Sequence, residues 1–227
     1  MNYLMTIKRR SDSITVLWSP GIIKNPFLIF TKQNYTKIRS YKSLMNIKSF
    51  QYNHITETDK HSLENLFYLV WGENINHPQE MNVTSFCATE KHEIIGYVGV
   101  VSWDIEVKDT TFKMCGLSCV CTHPAHRRQG IGTTLVRKTT EWIIQYGKFD
   151  IGLFSCSQKN TSFYEHIGLW KRCPNLILKE SDREGAYISD LLQLNVFKLL
   201  ISTKAHLHAN YFENSIITLN FPKGKFI

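Results

Sequence analysis

The 227-residue chain has no run of 18 uninterrupted apolar residues, so it offers no transmembrane helix. Its nearest approach is 191–201, where Lys198 interrupts the run and Asp190 precedes it. An internal repeat and low-complexity tracts are lacking, which excludes solenoid and fibrous architectures. Neither the Gly-Lys-Ser/Thr ending of a nucleotide-binding P-loop nor Gly-x-Gly-x-x-Gly occurs. No secretory leader is recognisable ahead of the six cysteines (Cys87, Cys115, Cys119, Cys121, Cys156, Cys173), so free thiols in a reducing, cytoplasmic setting are expected. Charged residues make up only 20%, against 43% hydrophobic and 12% aromatic, which excludes disorder throughout and supplies a core.

Acid is scarcest in residues 1–45. That stretch holds eight basic residues and one acid, Asp12, and leaves 19 basic against 18 acidic residues in 46–227. The net charge of +8 invites a nucleic-acid reading. Its location argues against one: the body is nearly neutral and the charge belongs to an appendage. Within that appendage Ile14–Trp18 reads as a short strand ended by Pro20-Gly21, followed by an apolar run at Pro26–Phe30. Pro20, Gly21 and Pro26 spoil the amphipathic helix of a transit peptide, so a loosely attached, poorly ordered extension is expected.

From Ile47 the pattern becomes regular. Strands are expected at 47–55, 83–89, 93–107, 111–122 and 150–156, with further candidates at 187–194 and 215–221. A helix capped by Thr56 or Thr58 runs to Trp71 with Leu63, Leu66, Phe67 and Val70 on one face, and Gly72 ends it. A second helix, 130–146, carries Ile131, Leu135, Val136, Trp142 and Ile143 and stops at Gly147. A short helix at 157–166 closes at Gly168. The alternation predicts an α/β (α+β) domain around a central sheet.

One stretch carries chemistry: Val120-Cys-Thr-His-Pro-Ala-His-Arg-Arg-Gln-Gly-Ile-Gly-Thr133, a strand end, an Arg- and Gly-rich loop and a helix start. Gly130 and Gly132 permit a tight turn and close backbone approach. The first helical turn leaves amides without intrahelical acceptors, at the positive end of the helix dipole. Arg127 and Arg128 add donors for phosphate oxygens. The chemistry indicated is a pyrophosphate site.

The segment Arg127-Arg128-Gln129-Gly130-Ile131-Gly132 resembles the Arg-x-x-Gly-x-Gly signature of the GNAT superfamily of N-acetyltransferases. Phe163-Tyr164-Glu165-His166-Ile167-Gly168-Leu169-Trp170 is similar to that family's Tyr-containing helix followed by Gly and an aromatic residue. The resemblance spans about 46–200 and implies a mixed central sheet with splayed parallel strands and flanking helices. It also implies acetyl-CoA as donor and a primary amine of a small molecule as acceptor. On it, Val120, Cys121 and Thr122 bind pantetheine, with an amide at Val120 or Cys121 facing the thioester oxygen. Arg127, Arg128, Gln129, Gly130, Ile131, Gly132 and Thr133 hold the pyrophosphate, and Tyr164 is the general acid. Within the superfamily the chain is most similar to the aminoglycoside 2′-N-acetyltransferase branch, through Ser157, Tyr164, Gly168-Leu-Trp170 and Ile217-Thr218. The branch's base, a Glu, is matched here by Ser118, which accepts no proton at neutral pH. Asp104, His123 and His126 are replacement candidates. Asp104 and Asn220 are candidate substrate contacts, and Lys223 and Lys225 near Asn220 argue against a polycationic acceptor.

Competing readings are a catalytically degenerate coenzyme A-binding module and a protein or peptide N-acetyltransferase. Cys119-x-Cys121-x-His123-x-x-His126 invites zinc, but its one-residue cysteine spacing is not that of a zinc knuckle, and no metal is expected. Nothing pairs Cys119 or Cys121 with a base, so neither is expected to be a nucleophile. Asn34-Tyr-Thr36, Asn82-Val-Thr84 and Asn160-Thr-Ser162 fit glycosylation acceptors without a secretory context. The C-terminal strand is a candidate for pairing within the chain or across a homodimer.

Overall fold

The structure, a computed structural model, describes residues 3–9, 12–18 and 46–227. The chain divides into two compact units, Met1–Leu44 and Met45–Ile227. In the first, β1 (Tyr3–Arg9) and β2 (Asp12–Trp18) form an antiparallel hairpin. The Pro26–Phe30 run, the Pro20-Gly21 stop and the expected looseness of the extension lie outside the described residues.

The second unit is built on a seven-stranded mixed sheet, as the resemblance implied. Its strands are β3 (Asn46–Gln51), β4 (Thr84–Glu90), β5 (Glu93–Val107), β6 (Thr110–Thr122), β7 (Ile151–Ser157), β8 (Lys171–Arg172) and β10 (Leu194–Leu200), in the order β3-β4-β5-β6-β7-β10-β8. A small parallel pair, β9 (Leu176–Lys179) with β11 (Ser215–Thr218), stands apart. The C-terminal strand therefore pairs inside the chain.

The stretch 187–194, expected to be a strand, forms turns, and the strand begins at Leu194. Residues 194–200 are apolar except for Asn195 and Lys198 and show no strict alternation, because β10 lies inside the sheet between β7 and β8. Such a run gives no period from which its start can be read.

Helix α1 (Glu57–Trp71) begins as its sequence directs: the Thr56 hydroxyl accepts the Asp59 amide at 3.2 Å, and Gly72 closes it at φ 77°. It buries Leu63, Leu66 and Phe67 against Cys87, Ile94, Tyr97 and Cys121. Helix α2 (Ile131–Tyr146) is the crossover between parallel strands β6 and β7 and buries Leu135, Val136 and Ile143 on the other face with Val98, Val100 and Leu117. Helix α3 (Thr161–Ile167) is fixed to α2 through Arg137, which donates to the Ile167 carbonyl at 3.2 Å, and Trp170, whose Nε1 donates to Thr140 Oγ1 at 2.9 Å. Alternation along β5 keeps the layers separate: Tyr97, Val101 and Ile105 face α1 and the β9/β11 pair, while Val98 and Val100 face α2.

Two irregularities make room for a site. Strands β6 and β7 pair only at Met114–Ile151 and Cys115–Gly152, then part. Gly116 sits at that apex, where a Cβ would strike the Leu153 carbonyl and the Ile227 side chain. In β6 the register with β5 passes from Gly99–Ser118 to Tyr97–Cys121, so Cys119 and Val120 both oppose Val98. This is a β-bulge, with Cys119 in the left-handed region at φ 52°.

Candidate active site

The bulge changes which side chains face which way. Before it, Phe112 and Met114 lie on the α1 face; after it, Cys121 does. At the change of phase Ser118 and Cys119 lie side by side, Oγ and Sγ 3.5 Å apart. Beyond Cys115 the β7-facing edge of β6 has no strand partner among the described residues. The His123 amide donates to the Ile95 carbonyl at 2.8 Å, toward β5. By strand alternation Cys121 turns the same way, while Val120 and Thr122 present their amides to the gap. Of the two amides expected near a thioester oxygen, Val120's is therefore the one directed into the gap. The Thr122 carbonyl agrees, since it accepts from Arg127 Nε at 3.4 Å rather than from β5.

At the mouth of the gap, Arg128 (φ 61°) and Gly130 (φ 81°) adopt left-handed conformations that fold the loop over the start of α2. No side chain caps that helix, so the amides of Ile131, Gly132 and Thr133 point outward unbonded within the helix, while Thr134 donates to the Gly130 carbonyl at 2.9 Å. A Cβ on Gly132 would lie 3.3 Å from Thr122 Oγ1 and 3.5 Å from the Phe163 ring, so a larger side chain there would crowd the cradle. Arg127 and Arg128 are exposed beside it, and Gln129 donates back to the Ala125 carbonyl at 3.3 Å. On the opposite wall the Ser157 hydroxyl, at the end of β7, is buried with no hydrogen-bond partner. A free strand edge, an uncapped helix start and an orphaned hydroxyl around one gap fit pantetheine and pyrophosphate.

Tyr164 projects from α3 onto Phe154 of β7, with ring centroids 4.7 Å apart, and also packs on Phe163 and Phe197. Burial raises its pKa above the ordinary phenol value, and the thiols of Cys156 and Cys121 act in the same direction. The hydroxyl thus keeps its proton.

The remaining sequence candidates are dispersed. Asp104 is exposed on β5 opposite Lys113, toward the hairpin end away from the bulge, in a cleft with Asn82, Ser102 and Trp103. His123 Nδ1 accepts the Ala125 amide at 3.2 Å, and His126 lies 4.0 Å from Glu90. Both belong to the loop rather than the gap. Asn220 is exposed in a left-handed turn after β11. None of the three base candidates reaches the bulge, and Ser118 carries only a hydroxyl there.

Sequence reasoning passed over another group. His77, in the segment between α1 and β4, is 5% exposed, and its Nε2 is buried without a partner. Its ring lies 4.8 Å edge-on from Tyr52 and 6.1 Å in a near-parallel stack from Tyr97. The Tyr97 hydroxyl shares a hydrogen bond of 3.1 Å with Ser85. That hydroxyl and the Ser118 carbonyl come within 3.0 and 3.3 Å of the position a Cβ of Gly99 would take, which places the stack beside the bulge. Lys225 reaches in from the C-terminal segment, donating to the Asn76 carbonyl at 2.9 Å. Burial, with the Lys225 charge behind it, lowers the His77 pKa to about 4. Burial likewise raises Tyr52, Tyr97 and Cys119, so His77 and these three are neutral at neutral pH. The only hint in the sequence is a His before Pro78, which marks extended backbone and nothing more.

A parallel strand pair that parts, with an uncapped helix start at its mouth, is the frame of an acyl-transferring enzyme. The chain belongs to the acetyltransferase (GNAT) family, whose sequence model matches residues 42–169. No curated protein matches the sequence. Among solved structures, an acyl-CoA N-acyltransferase from Pseudomonas aeruginosa is 10% identical, with 68% of this chain and 99% of that one covered and a TM-score of 0.49. NAA60 from Arabidopsis thaliana, in complex with a bisubstrate analogue, is 13% identical over 69% of this chain and 99% of its own, TM-score 0.48. An aminoglycoside acetyltransferase from an uncultured soil metagenomic sample is 18% identical over 55% and 88%, TM-score 0.44.

Proposed function

We propose that the protein moves an acetyl group from acetyl-CoA to the amine of a small molecule by direct attack. The observation that carries this reading is the gap between β6 and β7, with the free edge at Val120–Thr122, the uncapped start of α2 and Tyr164 around it. When bound, acetyl-CoA supplies an acetyl group activated as a thioester. The amides of Ile131, Gly132 and Thr133 and the guanidinium groups of Arg127 and Arg128 hold pyrophosphate. Val120 and Thr122 pair with pantetheine as an added strand would, with the Ser157 hydroxyl as a further partner. The Val120 amide faces the carbonyl oxygen and stabilises charge that develops there. Tyr164 gives its proton to the departing sulfur.

The β7 edge inside the gap supports a small acceptor. The Ser155 amide donates to the Ile227 carbonyl at 2.9 Å, so a segment of this same chain takes the place an extended polypeptide would need. Ser118 at the branch's base position and Lys223 and Lys225 in the C-terminal segment set this chain apart from a polycation-acetylating enzyme such as the aminoglycoside 2′ branch. Calorimetric titration with acetyl-CoA, followed by thiol release with a panel of amines, tests the reading. Binding with turnover of at least one amine is expected, whereas binding with no turnover of any would leave a coenzyme-binding module.

A further inference from the structure

Direct attack at neutral pH requires an acceptor for the proton that leaves the amine. Asp104, His123 and His126 are placed elsewhere, and Ser118 offers only a hydroxyl. His77 has the missing property. Two histidines among the described residues have a buried ring nitrogen with no hydrogen-bond partner, His126 at Nδ1 in the loop and His77 at Nε2, and of these it is His77 whose ring stack abuts the bulge, through Tyr97. A buried polar atom left unsatisfied is costly unless a ligand completes it.

We propose that His77 Nε2 receives the proton of the attacking amine at the bulge of β6, and that the surroundings set by His77, Tyr52, Tyr97 and Lys225 favour a weakly basic amine that arrives uncharged. This rests on the acetyl-transfer reading above. In the step, the amine nitrogen bonds to the acetyl carbon as the carbon–sulfur bond breaks. Tyr164 supplies the proton that the sulfur takes up, and the proton lost from nitrogen goes to His77. Both side chains then exchange with solvent to reset.

The selectivity follows from charge. The groups facing His77 are the phenols of Tyr52 and Tyr97, the Cys119 thiol beyond them and the Lys225 ammonium. The carboxylates nearest this cluster do not serve an ammonium. Glu64, on α1, acts on Tyr52 and is not among the charges that act on His77, and Glu180 is taken up by Arg183 and by the amides of Tyr187 and Gly224. An ammonium acceptor would meet the like charge of Lys225, whereas the neutral amine of an arylamine or an amino-acid amide meets no such repulsion.

The test uses the full chain, acetyl-CoA and four amines: aniline, glycinamide, spermidine and kanamycin. Aniline and glycinamide should be the better substrates. His77→Gln should keep its coenzyme affinity by calorimetry and lose about 100-fold or more in kcat. Free imidazole should restore part of the rate in His77→Ala. In the wild type, kcat for aniline should stay level from about pH 8 to about pH 5 instead of falling near the ordinary imidazole value of about 6.5. Independently of turnover, the side-chain NMR signal of His77 should move when glycinamide is added to the coenzyme A complex. A preference for spermidine and kanamycin, full activity in His77→Gln, or an unmoved His77 signal would overturn the proposal while leaving acetyl transfer intact. Binding of acetyl-CoA with none of the amines turned over by the wild type would overturn both. If His77→Gln fails to fold, the wild-type pH profile and the NMR shift decide.

Discussion

Tyr164 is a phenol with no hydrogen-bond duty in the core, packed among Phe154, Phe163 and Phe197. Replacing it with Phe keeps that packing and removes one proton donor. Tyr164→Phe should lower kcat by about 100-fold or more with an unchanged Kd for coenzyme A. Single-turnover rates beside calorimetry would show it, and a mutant at full speed would dismiss Tyr164 as the acid. At this scale the sequence was half legible. Tyr164 and the Arg127–Thr133 loop announce themselves because their chemistry lies in contiguous residues. His77 does not, because its meaning comes from Tyr52, Tyr97 and Lys225, which only the fold gathers.

Among the elements, β7 hangs on one side chain. Asp150, just before it, accepts from the Lys113 amide at 2.9 Å, from Ser202 Oγ at 2.7 Å and from Lys204 Nζ at 2.8 Å, joining the outset of β6, β7 and the exit of β10. Burial pushes its pKa up, but these donors outweigh it and the net shift is downward. A depressed carboxyl stabilises the fold above its unfolded value of about 3.9 and loses that contribution as the pH falls. Asp150→Asn should therefore cost about 0.5–1 kcal/mol near neutral pH once solvent screening is allowed for. The difference from wild type should shrink in acid, as denaturant titrations at two pH values would show. The start of α2 makes a second test. Gly132→Val would place methyl groups against Thr122 and Phe163 and should weaken coenzyme A binding at least about tenfold with little change in Tm. Equal loss of stability and affinity would instead mark Gly132 as a packing residue. The helices were legible from caps and periodicity, Thr56 to Gly72 above all. The β10 boundary was not, because a strand flanked on both sides inside a sheet shows no alternation, and the two-residue β8 is too short to leave a pattern.

For the molecule as a whole, the division at Leu44 and Met45 coincides with the break in charge. Every residue assigned to the site lies in the second unit. A protein lacking residues 1–44 should bind coenzyme A with the same Kd as the full chain. Any affinity of the full chain for RNA or DNA should vanish with the deletion and fall steeply with salt before it. Retained nucleic-acid binding in the truncated protein would mean that the nearly neutral body holds a site of its own.

The bulge at Cys119 has a consequence of another kind: it sets a reading frame. Two-residue periodicity acts as a parity, and the extra residue inverts it for everything downstream in β6. Deleting Cys119 would leave composition and hydrophobicity nearly untouched. It would also leave Val120 alone opposite Val98 between the kept pairs Ser118–Gly99 and Cys121–Tyr97, closing β6 into a regular ladder without its left-handed kink. Kept helical content with weakened coenzyme binding is the expected signature of losing that kink, and no point substitution at the same position should reproduce it.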